Sequence, residues 1–506
     1  MIYSGTIEAK TGHKIPTYIS GKIAHSKYNP TADKVSLDEN AYGCVLVFGI
    51  AAGFHIKNLI QNKNIQKIIA VEADKESLDF CSSLETVKEL AADSRTTLCT
   101  MADLVPCLCS NYLPSLHKKL TTVFLRSWHD EIPDADLKAK KLLDTSMESI
   151  SQDISVQAHF GRHWHRNILT NLRFIGETKF QNIPVSIPAE KTRAAIIAAG
   201  PTLDSSLDAL KEQRKHTYIV STDTAYGTLT GHGIEPDAVV SVDAQQVSSE
   251  HFLGMTESKT TFIFDIASNP NTVKMAADLG NKIFFIRSNH PLAALASEKI
   301  NLPFTESGSG TVTIAAADWA RQQGFKEIQF FGADFAYSDG KPYCRGTYLE
   351  NRFNSQSCRT LSSECLYTAL MFRTELQKTD KGLLGNLGKS AVTSKVLSSY
   401  GSTLIEWADR HGMSQDGNLL KADISARMDS TRSMSSFDYK DFIKEYLDKV
   451  KCLADKMSTQ SLSELTSEIL GSKELITLLP LFAATGKETL MEDISIALQL
   501  LLYYNL

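Results

Sequence analysis

Three aspartates stand at points where strands of a parallel sheet would hand over to helices: Asp223 after the apolar run at residues 218–222, Asp243 after 238–242, and Asp334 after 328–333. In an open parallel sheet the ligand crevice lies outside the carboxyl ends of the strands, so acids repeated at this position share one edge. Helix amino termini at that edge already favour anions, and carboxylates among them need a positive or hydroxylic partner, a metal or a sugar. Asp223, directly ahead of Thr224-Ala225-Tyr226, also fits ordinary helix capping.

Two further segments suit an anion without needing a lysine. The first, residues 194–204, delivers a strand into Gly200-Pro201-Thr202-Leu203-Asp204, with Leu207 and Leu210 on the same helix face as Leu203. The first turn of such a helix leaves backbone N–H groups unpaired, glycine lets a phosphate approach the backbone, and Thr202 is placed to cap the helix. Strand-to-helix turns of any α/β protein favour Gly and Pro too, so this segment alone leaves both readings open. The second, Ser307-Gly308-Ser309-Gly310-Thr311, opens an alanine-rich helix running to about Gly324 and adds hydroxyl donors, with ordinary linker chemistry as the alternative.

Nearer the amino terminus, the strand-like run Val45-Leu46-Val47-Phe48 leads into Gly49-Ile50-Ala51-Ala52-Gly53. The segment looks like a methyltransferase-type loop, with Glu72 ending the next strand where an acid could meet a ribose. Ala51 replaces the usual middle glycine, and a docking module without chemistry is the competing expectation. His159, His163 and His165 surround Trp164, but His163 and His165 at i, i+2 cannot share a helix face, so packing or solvent is expected rather than a metal. His290, in Arg287-Ser288-Asn289-His290-Pro291, is a second base candidate, set aside as a lone loop histidine.

Positioning these residues takes more than one core, because 506 residues exceed the size of a single hydrophobic interior. Composition is that of a globular protein, 42% hydrophobic and 22% charged. The pattern predicts an α/β domain over residues 1–135 with strands at 45–48, 68–71 and 122–125. A helical connector follows over 136–188, carrying Trp164, Ile168, Leu169 and Leu172 on one face and interrupted by Pro184 and Pro188. A central α/β domain over 189–415 has strands at 194–198, 218–221, 238–242, 261–264, 283–286 and 328–331. Beyond about Ser414 no strand signal remains, and 416–506 reads as all-helical, its Leu498, Leu501 and Leu502 stripe buried or in contact with a partner.

With 53 basic against 58 acidic side chains the net charge is −5, so no global field draws the chain to nucleic acid or anionic lipid. Nine scattered cysteines without zinc-site spacing read as reduced thiols. The opening MIYSGTIEAKTGHK has no apolar run of signal-peptide length, and residues 494–506, broken by Ser495 and Gln499, are too short to span a bilayer. Cytoplasmic location without a membrane partner is the expectation.

Read together, several of these residues carry a family pattern: Ala198-Ala199-Gly200-Pro201-Thr202-Leu203, Ser221-Thr222-Asp223, Gly233-Ile234-Glu235-Pro236-Asp237 before Ser241-Val242-Asp243, Gly308-Ser309-Gly310-Thr311, and Phe331-Gly332-Ala333-Asp334-Phe335-Ala336-Tyr337. The series resembles the motility-associated factor family of flagellin glycosyltransferases, whose central domain is shared with 6-hydroxymethylpterin diphosphokinases. His25-Ser26-Lys27-Tyr28-Asn29-Pro30 and Phe160-Gly161-Arg162-His163-Trp164 extend it into the amino-terminal half. The resemblance implies a Rossmann-like, sialyltransferase-like central domain beside a Rossmann-like amino-terminal α/β domain and a helical carboxyl-terminal region. It implies a CMP-activated nonulosonic sugar as donor and Ser or Thr hydroxyls of flagellin as acceptor, in the service of flagellar assembly and motility.

On the same resemblance, Gly200, Pro201, Thr202 and Leu203, with Asp223 and Ser307, Gly308, Ser309, Gly310 and Thr311, would bind the nucleotide. Asp243, Asp334 and Tyr337 would line the sugar side as the catalytic set. Thr202 stands where the family usually has serine, and Ala333 where an amide residue often precedes the acid. No cofactor is implied for this transfer. A diphosphokinase-like reading would instead have Asp223, Asp243 and Asp334 hold magnesium for pyrophosphate transfer from ATP, and a third reading is a non-catalytic flagellin-binding protein.

Overall fold

The computed structural model describes residues 1–35, 37, 41–308, 310–379, 381–382, 385–387, 390–422 and 437–505. The chain forms two compact units, one of Met1–Arg162 with Phe442–Leu506 and one of His163–Asp441. The carboxyl-terminal helices therefore share a unit with the amino-terminal sheet, a grouping that reading the chain segment by segment does not contain.

In the first unit, β1 (Tyr3–Glu8) and β2 (Lys14–Tyr18) make an antiparallel hairpin. Strands β3 (Gly43–Phe48), β4 (Ile65–Glu72), β5 (Thr96–Thr100) and β6 (Leu120–Phe124) form a parallel sheet in the order β5-β4-β3-β6. All six residues of β3 are buried, and Cys44 to Phe48 make the continuous apolar run expected of a strand covered on both faces. Helices Leu462–Gly471, Leu479–Thr485 and Leu490–Asn505 pack into the same unit, where Gln66 donates to Thr466 and Lys118 pairs with Asp493.

In the second unit, β7 (Arg193–Ile197), β8 (Thr217–Thr222), β9 (Ala238–Ser241), β10 (Thr261–Asp265), β11 (Lys282–Ile286) and β12 (Glu327–Phe331) are parallel, in the order β11-β10-β9-β8-β7-β12. Alternation along β7 decides what covers each face. Ala194 and Ile196 join the core beneath helix Val312–Gln322, through Ile314, Ala315 and Trp319; Ala195 and Ile197 join Leu203, Leu207, Leu210, Ala225 and Leu229 on the other side. The shared helix face expected of the three leucines is the buried one.

The expectation of no strand after Ser414 is corrected, since Met413–Asp416 and Leu419–Ala422 form a hairpin whose second strand pairs antiparallel with β12. These strands are four residues each and carry no continuous apolar run, but Met413 and Leu420 are buried in the same core as Ala194 and Ile196, so these two anchors hold the hairpin together with its backbone pairing to β12. The expected connector helix runs over Ala135–Thr178, and Ile168, Leu169 and Leu172 are buried as their spacing predicts. Among the described residues no helix is long and apolar enough to cross a membrane, and all nine cysteines are free thiols.

Candidate functional site

The order of the second unit places its topological switch between β7 and β12, where the chain reverses direction across the sheet. Gly200 follows β7 and Gly332 follows β12, and the two turns are bound to one another. The Gly200 amide donates to the Gly332 carbonyl at 2.7 Å, and the Thr202 amide donates to Asp334 Oδ2 at 2.8 Å. The Thr202 hydroxyl donates to Asp334 Oδ1.

The Asp334 carboxylate thus caps the 3₁₀ turn Pro201–Ser205 from outside, taking the place expected for a phosphate. Thr202 is not the helix cap predicted for it: it sits at the second position of the turn, so its amide is itself an orphan donor that needs an acceptor. Glycine is required here for the protein's own close approach. A Cβ at Gly200 would lie 2.6 Å from the Asp334 carboxylate, and one at Gly332, where φ is +65°, would overlap the Ala198 carbonyl. Gly332→Ala is expected to lower stability by about 2–4 kcal/mol, from left-handed backbone cost together with overpacking. Urea unfolding of the variant checks this, and a loss below about 0.5 kcal/mol would show that the paired turns yield freely.

All three sequence-predicted aspartates do stand at the carboxyl edge, but their partners are protein hydroxyls and amides. Asp223 begins helix Asp223–Gly231, is buried, and accepts from the Thr224 amide at 2.7 Å, the Thr224 hydroxyl at 3.1 Å and the Ser241 hydroxyl at 2.8 Å. Asp243 is half-buried and accepts from the Gln245 amide at 2.9 Å. Burial raises its pKa above the usual carboxylate range; the Gln245 amide opposes the shift and the charge of Asp223 adds to it. Burial raises Asp334 likewise, against the bonds from Thr202.

Strand spacing separates these groups. Asp243 follows β9 and Asp334 follows β12, three strands apart in the sheet and so roughly 14 Å at ordinary inter-strand distance. The two do not converge on one atom. Among the described residues no group of three His, Cys, Asp or Glu is arranged to hold a metal ion, so Asp223, Asp243 and Asp334 do not fit a shared magnesium.

Tyr337 is half-buried with its hydroxyl pKa raised by burial, and its backbone pairs with Val392. It belongs to a tyrosine group that sequence reasoning missed. Tyr343 has its pKa raised by burial and then by the nearby Tyr348, Tyr337, Asp223 and Tyr400. Tyr348 in turn senses Asp243 and Asp223 and packs edge-on against His251 at 4.5 Å between ring centroids. Tyr337 and Tyr343 lie in loops, and Tyr348 and Tyr400 in the separate helices Tyr348–Gln356 and Lys395–Arg410, so no single periodic pattern links them and only the tertiary structure gathers them. Asn167 and Asn171, on the helix that also carries His165, were missed as well. Asn167 donates to the Ala244 and Ala267 carbonyls, and Asn171 to those of Ile266 and Ser268, which fixes the ends of β9 and β10 beside Asp243.

In the Gly/Ser segment, Ser307 donates to Asp265 at 3.0 Å, Gly308 and Gly310 are exposed, and Thr311 caps helix Val312–Gln322 by accepting from the Thr313 amide. Ser309 lies outside the described residues. Ser307 is therefore anchored at β10, three strands from Gly200 after β7, and does not close around Gly200. His290 is buried and its Nδ1 accepts from the Leu292 amide, a structural cap for helix Pro291–Ala296. His163 is exposed and His165 buried, in keeping with their i, i+2 spacing.

The loop of the first unit is filled by the protein. Glu72 is fully buried and accepts from the Tyr3 hydroxyl at 3.0 Å, the Trp128 indole at 2.6 Å and the Ile50 amide at 3.1 Å. The Ala52 amide donates to His25 Nε2, while Trp128 and Leu90 stand where side chains at Gly49 and Gly53 would go. Of the two readings of this loop, the meeting of Glu72 with a ribose is the less favoured, because its oxygens and the loop amides already serve each other.

The second unit is an open, doubly wound α/β domain of the Rossmann-like class with acidic and hydroxyl-bearing side chains at its carboxyl edge, where ligands of such sheets bind. Residues 166–340 match the family model described as 6-hydroxymethylpterin diphosphokinase MptE-like, so the unit carries an MptE-like domain. Over the whole chain the fold is similar to that of the MAf glycosyltransferase from Magnetospirillum magneticum AMB-1, with a TM-score of 0.55 and 13% identity, covering 99% of this chain and 89% of that one. Both matches agree with the resemblance read from the sequence. Three uncharacterised proteins of Treponema pallidum (strain Nichols) are also similar. One is 41% identical over 24% of this chain and 44% of its own length, the second 34% over 27% and 64%, the third 27% over 40% and 35%. The chain spans less than two thirds of the length of each of these relatives.

Proposed function

We propose that the protein is a glycosyltransferase that moves a nonulosonic, sialic-acid-like sugar from a CMP-activated donor to Ser or Thr hydroxyls of flagellin. The observation that carries this reading is the fold similarity to a glycosyltransferase over 99% of the chain, both units included. The crevice chemistry is compatible with it. Transfer to a hydroxyl needs a base for the acceptor proton and stabilisation of the leaving phosphate. Asp243, half-buried and poised above the ordinary carboxylate range, is assigned as that base, with Tyr337, Tyr343 and Tyr348 as hydroxyl partners for the sugar. Asp334, with both oxygens engaged by Thr202, is assigned to positioning the switch-point turns instead of to chemistry.

The MptE-like match over residues 166–340 favours a second reading, pyrophosphate transfer from ATP to a pterin alcohol. The three aspartates proposed to hold its magnesium do not form one ligand set, so this reading needs the metal on one or two of them with the substrate phosphates, and the fold similarity over 99% of the chain favours the first reading. Thermal unfolding with CMP, CDP, ATP and S-adenosylmethionine, each with and without magnesium, separates the two, because a ligand that binds only the folded state raises the midpoint. CMP is expected to raise it without metal, by about 2.7 kcal/mol in stability at a hundredfold excess over Kd. Stabilisation by ATP with magnesium alone would establish the diphosphokinase reading, and no response to any nucleotide would favour a binding protein.

A further inference from the structure

With the Thr202 amide occupied by Asp334, the anion expected at Gly200 lacks that donor, and a ligand carrying phosphate or carboxylate needs another. Arg287 directly follows β11 at the same carboxyl edge. Its backbone is clamped on both sides: the Arg287 amide donates to the Pro303 carbonyl at 2.9 Å, and its own carbonyl accepts from the Thr305 amide at 3.0 Å. The guanidinium lies over the Phe304 ring, 5.4 Å from its centroid, which fixes its plane.

A guanidinium presents five donors, and this one is nearly unused. Its Nε is buried without a hydrogen-bond partner, and its one side-chain bond among the described residues is a long 3.4 Å contact from Nη1 to the Ser288 carbonyl. It forms no ion pair within 4 Å among the described residues. The nearby acid, Asp265, is fully committed elsewhere: it accepts from the Ala267 amide at 2.8 Å and the Ser307 hydroxyl at 3.0 Å, with Ser288 also bound to it. Burial pushes Asp265 up to about 6, so near neutrality it is still mostly ionised; burial lowers the Arg287 pKa and the charge of Asp265 opposes that shift, but no bond joins the two side chains among the described residues. Two residues beyond Thr305 the chain reaches Ser307 and then Gly308, around whose Cβ position the space is open. A half-buried, oriented arginine with most of its donors unused, beside an open glycine loop, is suited to a planar oxyanion in a bidentate pair.

We infer that Arg287 is the oxyanion-binding residue of the second unit, receiving the phosphate or carboxylate of the ligand at the β10–β11 end of the crevice, with the segment at Ser307 and Gly308 forming its wall. This rests on the glycosyltransferase reading only for the ligand's identity; the oxyanion site itself does not. Asp265 is a positioning residue, holding Ser307 and Ser288 in place around the arginine.

The test is isothermal titration of the full-length protein and of Arg287→Gln and Arg287→Lys with CMP, N-acetylneuraminic acid and inorganic pyrophosphate. Arg287 is only half-buried, so both variants are expected to fold, and their unfolding midpoints check it. Losing charge-assisted bonds to an oxyanion is expected to weaken binding about 10- to 100-fold in Arg287→Gln, with a smaller loss in Arg287→Lys, which keeps the charge but not the fork. Weakening for CMP and pyrophosphate but not for the sugar acid assigns the phosphate, and the converse assigns the carboxylate. Arg287-dependent binding of pyrophosphate without any binding of CMP or sugar acid would keep the site and sink the glycosyltransferase reading. Equal affinities in wild type and Arg287→Gln, or no binding of any of the three to the wild type, would overturn the inference.

Discussion

Replacing Asp243 with Asn is expected to lower the rate of sugar transfer by about 10²- to 10⁴-fold, the usual contribution of a positioned general base. The carboxamide is nearly isosteric and keeps an acceptor for the Gln245 amide, so the fold is expected to survive unchanged. The measurement is turnover of a CMP-activated nonulosonic sugar with purified flagellin at saturating donor, alongside the unfolding midpoint of the variant. The pH profile adds an independent sign. A base works only when deprotonated, and burial holds Asp243 above the ordinary carboxylate range, so activity should fall as pH drops through that raised value, earlier than for an exposed aspartate. An Asn variant that turns over at the wild-type rate would remove Asp243 from the mechanism. Asp334→Asn serves as the contrast, because its expected cost falls on the Thr202 clasp and on stability more than on the proton transfer.

Replacing Trp128 with Ala is expected to destabilise the first unit by about 3–5 kcal/mol, in the range for removing a large buried aromatic. Trp128 is fully buried, packs on Phe48 at 6.0 Å between ring centroids and donates its indole N–H to Glu72 at 2.6 Å. Its loss both empties the space beside Gly49 and removes a donor from a buried carboxylate, and the second cost adds to the first. Urea unfolding followed by circular dichroism reads the effect, with Trp164→Ala, a half-buried residue of the other unit, as a comparison. A cost below about 1 kcal/mol would mean that the loop of residues 49–53 does not depend on its aromatic filling and can open. The same variant bears on function: if Trp128 only fills a vacant cofactor site, Trp128→Ala would gain affinity for S-adenosylmethionine, whereas a structural plug gives instability and no binding.

Most strands of both sheets were legible because they are short, apolar and bounded by turn residues; β5, with Thr96, Thr97 and Thr100 in its five positions, and the hairpin of Met413–Asp416 and Leu419–Ala422 carry no such run and were missed. The predicted runs at 238–242 and 261–264 differ from β9 and β10 by one residue at an end. The carboxyl-edge location of Asp223, Asp243 and Asp334 followed from the same alternation, since parallel strands put all their ends on one side. What misled was the assumption that an unpaired helix turn waits for a ligand. At Thr202 the acceptor came from Asp334, 132 residues on, and in the loop after Gly49 the amides were met by Glu72 and His25. Neither pairing has a local signature.

The amino-acid sequence by itself determined the class of the second unit, the positions of its strand ends, the helix over Ala135–Thr178 and the resemblance that its motifs carry. These depend on hydrophobic period and on turn residues, which act over a few neighbouring positions. Tertiary structure alone decided which carboxylates have spare capacity, which tyrosines gather around Asp223, that the carboxyl-terminal helices join the amino-terminal unit, and that Arg287 stands without an ion pair among the described residues. Hydrogen-bond satisfaction and charge compensation are settled by groups tens to hundreds of residues apart in the chain, and their pairing exists only once the strand order is fixed.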